Sequence, residues 1–138
     1  MKILLWLDDS RNPSKDDWLN FSPIGKNVEV VWVKSYLEFV DYIMNIGLPT
    51  AICFDHDLGE DVSRYYRSTG ASKKNSRKIK KLYRSGMDCA KWLVGYCMNT
   101  KQLIPLYNIQ SANPVGKENI DSLLKNYIKY NELIWKNL

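Results

Sequence analysis

The sequence predicts an α/β domain built on a mostly parallel sheet of about four strands. Three observations carry that reading. Short, continuous apolar runs stand at residues 2–7, 28–33, 50–54 and 104–110, amphipathic stretches separate the later ones, and turn or cap residues mark the junctions. Unbroken apolar runs are the pattern of strands covered on both faces, as in a parallel sheet. Strands that alternate with helices imply βαβ units with right-handed crossovers. At 138 residues the chain is expected to form one domain, residues 1–138, with a core large enough to need no staples.

The first strand, KILLWL at 2–7, stops at Asp8 and Asp9. RNPSKDDW then reads as a turn-rich link with room for one short helix before the β-branched strand VEVVWV at 28–33. Ser35 is placed as an N-cap, with Glu38 completing a capping box, and Leu37, Val40, Ile43 and Met44 share a helical face that ends at Gly47. TAICF at 50–54 is the third strand. GMDCAKWLVGYCMN is a second amphipathic helix with Ala90, Leu93, Val94 and Cys97 on one stripe, and IPLYNIQ at 104–110 is the fourth strand. The last helix turns Ile120, Leu123, Leu124, Tyr127 and Ile128 inward. This order is that of a short flavodoxin-like fold in three layers, α/β/α, whose ligands bind at the carboxyl ends of the strands.

Residues 62–86 break the rhythm. They carry nine Lys or Arg and no acid, so the rest of the chain is acidic although the formal net charge is +5. About two dozen residues without structure of their own are uncommon inside a compact domain, which makes this segment an insertion, a lid or a disordered arm. Ile79, Leu82 and Tyr83 share a helical face within it. Its tyrosines, Tyr65, Tyr66 and Tyr83, interleave with the basic residues, a combination suited to stacking bases and following a phosphate backbone, so nucleic-acid contact stands beside a solvated arm as a reading.

The composition excludes other classes. No apolar run approaches the roughly 18 residues of a membrane span, and the N-terminus is apolar for only six residues before two aspartates, so a cytoplasmic, unprocessed chain without membrane contact is expected. Cys53, Cys89 and Cys97 lack metal-ligand spacing and are expected as buried thiols. Trp18, Trp92 and Trp135 are read as core before interface.

Chemistry collects at the strand ends. Asp8 and Asp9 end the first strand, Asp55 and Asp57 the third, Ser111 and Asn113 the fourth, and the fold makes these ends neighbours. Carboxylates brought together repel unless a cation or a shared proton offsets them, and a hard divalent ion such as Mg²⁺ is the economical solution. Capping of turns is the competing role, most of all for Asp57, Glu60 and Asp61. Asn113 reads as the N-cap of the last helix, Pro114 as its first residue, and the following N–H groups with Lys117 as an anion site; a solvated Lys117 is the alternative. His56, the chain's one imidazole, is either a proton carrier or a hydrogen-bonded structural residue. Arg11 either holds an anion or balances the acidic pair.

The blocks LLWLDDSRNP, CFDHDLGED, SGMDCAKWL and QSANPVGKENI, in that order, resemble the cyclic-phosphate processing receiver-like family, a divergent branch of the response-regulator receiver fold. The resemblance covers the core strands and leaves out the basic insertion. It implies that Asp8 and Asp9 match paired acidic metal ligands, Asp55 the phosphoacceptor aspartate, and Ser111 the hydroxyl that contacts a phosphoryl group. The receiver's fifth strand, with its lysine, has no equivalent. Gln110 stands where the family has a histidine and Lys117 where it has an arginine.

Together these readings predict a metal-dependent phosphoesterase acting on a cyclic nucleotide or cyclic phosphate, with a role in RNA repair or phage–host conflict implied by the resemblance. Asp8, Asp9 and Asp55 would hold Mg²⁺ or Mn²⁺, His56 or Asp57 would manage the proton, and Arg11, Ser111, Asn113 and Lys117 would hold the anion. A cyclic-nucleotide sink that binds without cleaving, and a receiver-like interaction module using its basic arm, are the alternatives.

Overall fold

The computed structural model describes residues 1–58 and 84–136, without the side chains of Trp135 and Lys136. Most of the basic insertion, with Glu60, Asp61, Tyr65, Tyr66, Ile79, Leu82 and Tyr83, therefore lies outside the described residues, as does the expected placement of the Trp135 side chain.

Four strands form the sheet: β1 (Ile3–Leu7), β2 (Glu29–Val33), β3 (Ala51–Phe54) and β4 (Leu106–Ile109). Their order is β2-β1-β3-β4, and every pairing is parallel. Among the described residues three α-helices accompany them: α1 (Tyr36–Ile46), α2 (Gly86–Thr100) and α3 (Pro114–Lys136). This is the expected α/β, receiver-like arrangement, with β1 and β3 as the inner strands. No described helix is long and apolar enough to cross a membrane.

The two faces of the sheet are covered differently. Because side chains alternate along a strand, Leu5 and Leu7 of β1 and Ile52 and Phe54 of β3 point to one side. There they join Phe39, Ile43, Leu93, Cys97, Ile120 and Leu124 in the main core, so all three helices share that face. Leu4, Trp6, Ala51 and Cys53 point to the other side and meet Trp18, Leu19, Phe21 and Ile24. Among the described residues, that side is covered by a loop that includes the 3-10 turn Trp18–Phe21. The local cause is legible: Pro13, Pro23 and Gly25 interrupt the link, and Asp16 and Asp17 adopt positive φ of 53° and 57°, which ends any regular helix there.

Helix ends follow their caps. The Ser35 side chain accepts the Glu38 N–H at the start of α1, as the spacing predicts, and Gly47 closes it. The inward face of α1 differs from expectation: Phe39 and Ile43 are buried, whereas Leu37 and Met44 are 64% and 62% exposed. Phe39 enters the core, its ring tilted against Phe54 and edge-on to Trp92. In α3, Ile120, Leu124 and Tyr127 are buried, with Leu123 packed beside them.

The expected box at Ser35 is half formed, since the Glu38 carboxylate accepts the Lys34 N–H instead of that of Ser35, whereas a full capping box opens α2. Ser85 accepts from the Asp88 N–H while the Asp88 carboxylate receives the Ser85 N–H at 2.8 Å, so α2 begins at Gly86, which is buried. Ser85→Ala is expected to lower stability by about 1 kcal/mol, read as a shift in the urea midpoint at unchanged slope. The three cysteines are buried, and burial pushes the thiols of Cys53 and Cys97 up to about 12 and about 11, so neither ionises near neutrality.

Candidate functional site

The register builds the site. The last partners of β1 and β3 are Leu7 and Phe54, so the next residues on each chain, Asp8 and Asp55, leave the sheet side by side. Backbone bonds hold both exits: the Asp55 N–H donates to the Leu7 carbonyl at 2.9 Å and the Asp8 N–H to the Val33 carbonyl at 3.0 Å. Carboxylate oxygens of Asp8, Asp9 and Asp55 then lie within 4.8 Å of one another. The three residues proposed from sequence as a metal set are therefore brought together.

Asp8 is fully buried. Its Oδ1 accepts the N–H groups of Ser10 and Arg11, at 3.1 and 2.9 Å, which folds the chain tightly after β1. Its Oδ2 is buried and has no hydrogen-bond partner. That oxygen, 3.7 Å from Arg11 Nη1, keeps its lone pairs available to a ligand. The donor set, three carboxylates converging on one space, fits a hard divalent cation that takes oxygen ligands. Asp55 responds to the same crowding: burial, then the negative charge of Asp8, pushes its carboxyl up to about 7, with Arg11 opposing.

Arg11 lies among the carboxylates. Its Nη1 donates to the Gln110 carbonyl and stands 3.7 Å from Asp8 Oδ2 and 4.0 Å from Asp55 Oδ1, while the guanidinium lies over the Trp18 ring. It balances the carboxylates and joins the ends of β1, β3 and β4.

His56 follows Asp55 and is held on two sides. Its Nδ1 bonds the Asp57 carboxylate at 2.8 Å, and the first turn of α3 presses on its ring. A Cβ on Gly116 would stand 2.4 Å from His56 Cγ, so glycine is required for that approach. The Asp57 contact sets the imidazole's orientation, with Nδ1 carrying the proton if the ring is neutral.

The β4 end supplies the polar loop. Ser111 Oγ accepts the Asn113 N–H, and Asn113 Oδ1 accepts the Gly116 N–H, so Asn113 caps α3 as its position predicts. That cap uses one first-turn donor and Pro114 has none, which leaves an anion fewer N–H groups than the spacing promises. Lys117 is exposed, and its positive charge acts on Asp121, helping hold that carboxyl below the usual range after the stronger Lys125 bond.

Several contributors were not legible as such. The Trp6 indole N–H donates to the Arg11 carbonyl and the Trp32 indole N–H to the Asp8 carbonyl, at 2.9 and 2.7 Å, clamping the acidic loop from beneath. Gln110 is buried, and its Nε2 donates to the Leu7 carbonyl at 3.0 Å, tying β4 across β3 to the end of β1. In sequence these tryptophans belong to apolar strand runs, and Gln110 was marked only by the resemblance, as the residue standing where the family has a histidine.

Comparison with curated proteins and with solved structures returned no match. A model of the cyclic-phosphate processing receiver domain matches residues 3–126, which spans all four strands, the acidic cluster and most of α3. With that match over most of its length, the chain belongs to the cyclic-phosphate processing receiver domain family.

Proposed function

We propose that this receiver domain is a metal-dependent phosphoesterase acting on a cyclic nucleotide or another cyclic phosphate. The observation that carries the reading is the Asp8–Asp9–Asp55 cluster, whose innermost oxygen, Asp8 Oδ2, is buried without a hydrogen-bond partner. These three residues would hold Mg²⁺ or Mn²⁺. A divalent ion there supplies polarisation of a phosphate oxygen and acidification of a water.

The chain's own residues do the rest. Arg11 offsets the negative charge of Asp8 and Asp55 when the site is empty and, with the Trp6 and Trp32 clamps, keeps the loop in one conformation. His56, aligned by Asp57, presents its other ring nitrogen for proton transfer to a leaving oxygen. Ser111 Oγ and the α3 N-terminus, with Lys117 at the rim, would receive the phosphate. A role in RNA repair or phage–host conflict, and contact with nucleic acid through the basic insertion, belong to the same proposal.

One observation favours a second reading, binding without turnover. Gln110 occupies the family's histidine position with its amide already committed to the Leu7 carbonyl, so it cannot share acid–base work with His56. The test is incubation of the purified chain with Mn²⁺ or Mg²⁺ and a panel of cyclic mono-, di- and oligonucleotides and 2′,3′-cyclic ends. Turnover that disappears with EDTA and in Asp55→Asn is the expected result. Unchanged ligand recovered after denaturation would establish the sink, and neither outcome would leave an interaction module.

A further inference from the structure

We propose that Arg11 is a built-in counter-ion that a divalent cation must drive off, and that the guanidinium so released becomes a ligand for the substrate's phosphate, so that the anion binds tightly only after the metal. The inference rests on the metal-binding reading above. It adds an order of binding and the residue that enforces it.

Position carries the argument. Arg11 Nη1 stands 3.7 Å from Asp8 Oδ2 and 4.0 Å from Asp55 Oδ1, in two of the three carboxylates whose oxygens converge. Both distances exceed a hydrogen bond, and the hydrogen bond that Nη1 does make goes to the Gln110 carbonyl. The guanidinium therefore balances these oxygens by charge without closing them. An ion bonded to Asp8 Oδ2 at the roughly 2.1 Å of a Mg²⁺–oxygen bond lies within about 6 Å of Nη1 whatever its direction, since the two lengths add to that. Cations so close repel strongly where Asp8 is fully buried and Asp55 is 6% exposed, and salt screens them little. Asp8 is pinned by the N–H groups of Ser10 and Arg11, whereas the guanidinium ends a long side chain, so the arginine is the group that yields.

Its surroundings give it a place to go. The Arg11 side chain is 25% exposed, and its guanidinium carbon lies 4.9 Å from the centre of the half-buried Trp18 ring, a face along which a planar cation can shift while keeping contact. Freed of the carboxylates, the planar fork of N–H donors matches two oxygens of a phosphate. One positive charge then serves the carboxylates first and the anion second.

Titration of the full chain with Mn²⁺, followed by electron paramagnetic resonance, and with inorganic phosphate, followed by calorimetry, tests the order. Arg11→Gln should bind Mn²⁺ roughly tenfold more tightly than wild type, because a repelling charge is gone. Arg11→Lys keeps the charge and should stay within about threefold of wild type. Saturating Mg²⁺ should strengthen phosphate binding to wild type roughly tenfold, and Arg11→Gln should lose most of that gain. A loosened loop would instead weaken both ligands together. A measurement on the wild-type chain does not depend on the variants folding: the nuclear magnetic resonance signal of the Arg11 Nε–H should move on adding Mg²⁺ and again on adding phosphate. An Arg11→Gln protein that binds Mn²⁺ no more tightly than wild type, or that keeps the full phosphate gain, overturns the inference while the metal reading stands, as does an Arg11 signal that Mg²⁺ leaves in place. A wild-type chain that binds no Mn²⁺ overturns both.

Discussion

Replacing Asp55 with asparagine is expected to stabilise the protein in EDTA at pH 8 while abolishing its response to divalent metal. The folded protein holds the Asp55 proton up to about pH 7, because burial and Asp8 disfavour the charge; the unfolded chain releases it near pH 4. The native state therefore binds more protons across that window, and this group's contribution is fully present below pH 4 and lost as pH rises through 7. Each unit between folded and unfolded values is worth about 1.4 kcal/mol, so the ionised carboxylate costs the fold a few kcal/mol at pH 8. Asparagine has the same shape and no charge. Thermal unfolding should place the variant roughly 5–10 °C above wild type at pH 8, with the gap closing by pH 4. Adding Mn²⁺ at pH 8 should raise the wild-type midpoint and leave the variant's unmoved, since binding to the folded state alone stabilises it. A gap of equal size at pH 4 and pH 8 would show that Asp55 carries no such strain.

Gly86→Ala should be among the most damaging single-methyl changes in the chain. A Cβ at that position would lie 1.8 Å from the Asp55 carbonyl oxygen and 2.9 Å from His56 Cα, all backbone, while the Gly86 N–H already donates to the His56 carbonyl at 2.8 Å. Neither partner can rotate aside, so α2 must lift from the end of β3 or the Asp55–His56 backbone must shift. The expected loss is about 3 kcal/mol, accompanied by weaker metal affinity because Asp55 moves with its backbone. Gly95, in the same helix with open space around its Cα, is the internal control: Gly95→Ala should stabilise by about 0.5–1 kcal/mol. Urea midpoints for the two variants decide the matter, and a Gly86→Ala protein as stable as wild type would mean that the α2–β3 approach is looser than described.

The acidic cluster shows how much of the site could be read in one dimension. Asp8, Asp9 and Asp55 follow apolar strands, and strand ends adjoin in a parallel sheet, so their meeting follows from the pattern. Arg11 was equally visible, but its two roles could not be separated along the chain. Its placement depends on the Gln110 carbonyl and the Trp18 ring, one of them 99 residues away. The same holds for His56: the neighbouring carboxylate is local, whereas the pressure from Gly116 arrives only when α3 folds back across the strand ends.

By itself the sequence determined the elements and their order, the caps at Ser35 and Asn113, the burial of the cysteines and the convergence of carboxylates at the strand ends. Those are local matters of periodicity, turn chemistry and the alternation of strand and helix. Tertiary structure alone decided that the three described helices share one face, that the loop with the 3-10 turn Trp18–Phe21 packs on the other, that Phe39 and not Leu37 or Met44 enters the core, and that tryptophan indoles clamp the acidic loop. Each depends on which distant surfaces meet and on lateral hydrogen bonds between residues far apart in the chain, and neither is encoded in any single stretch of it.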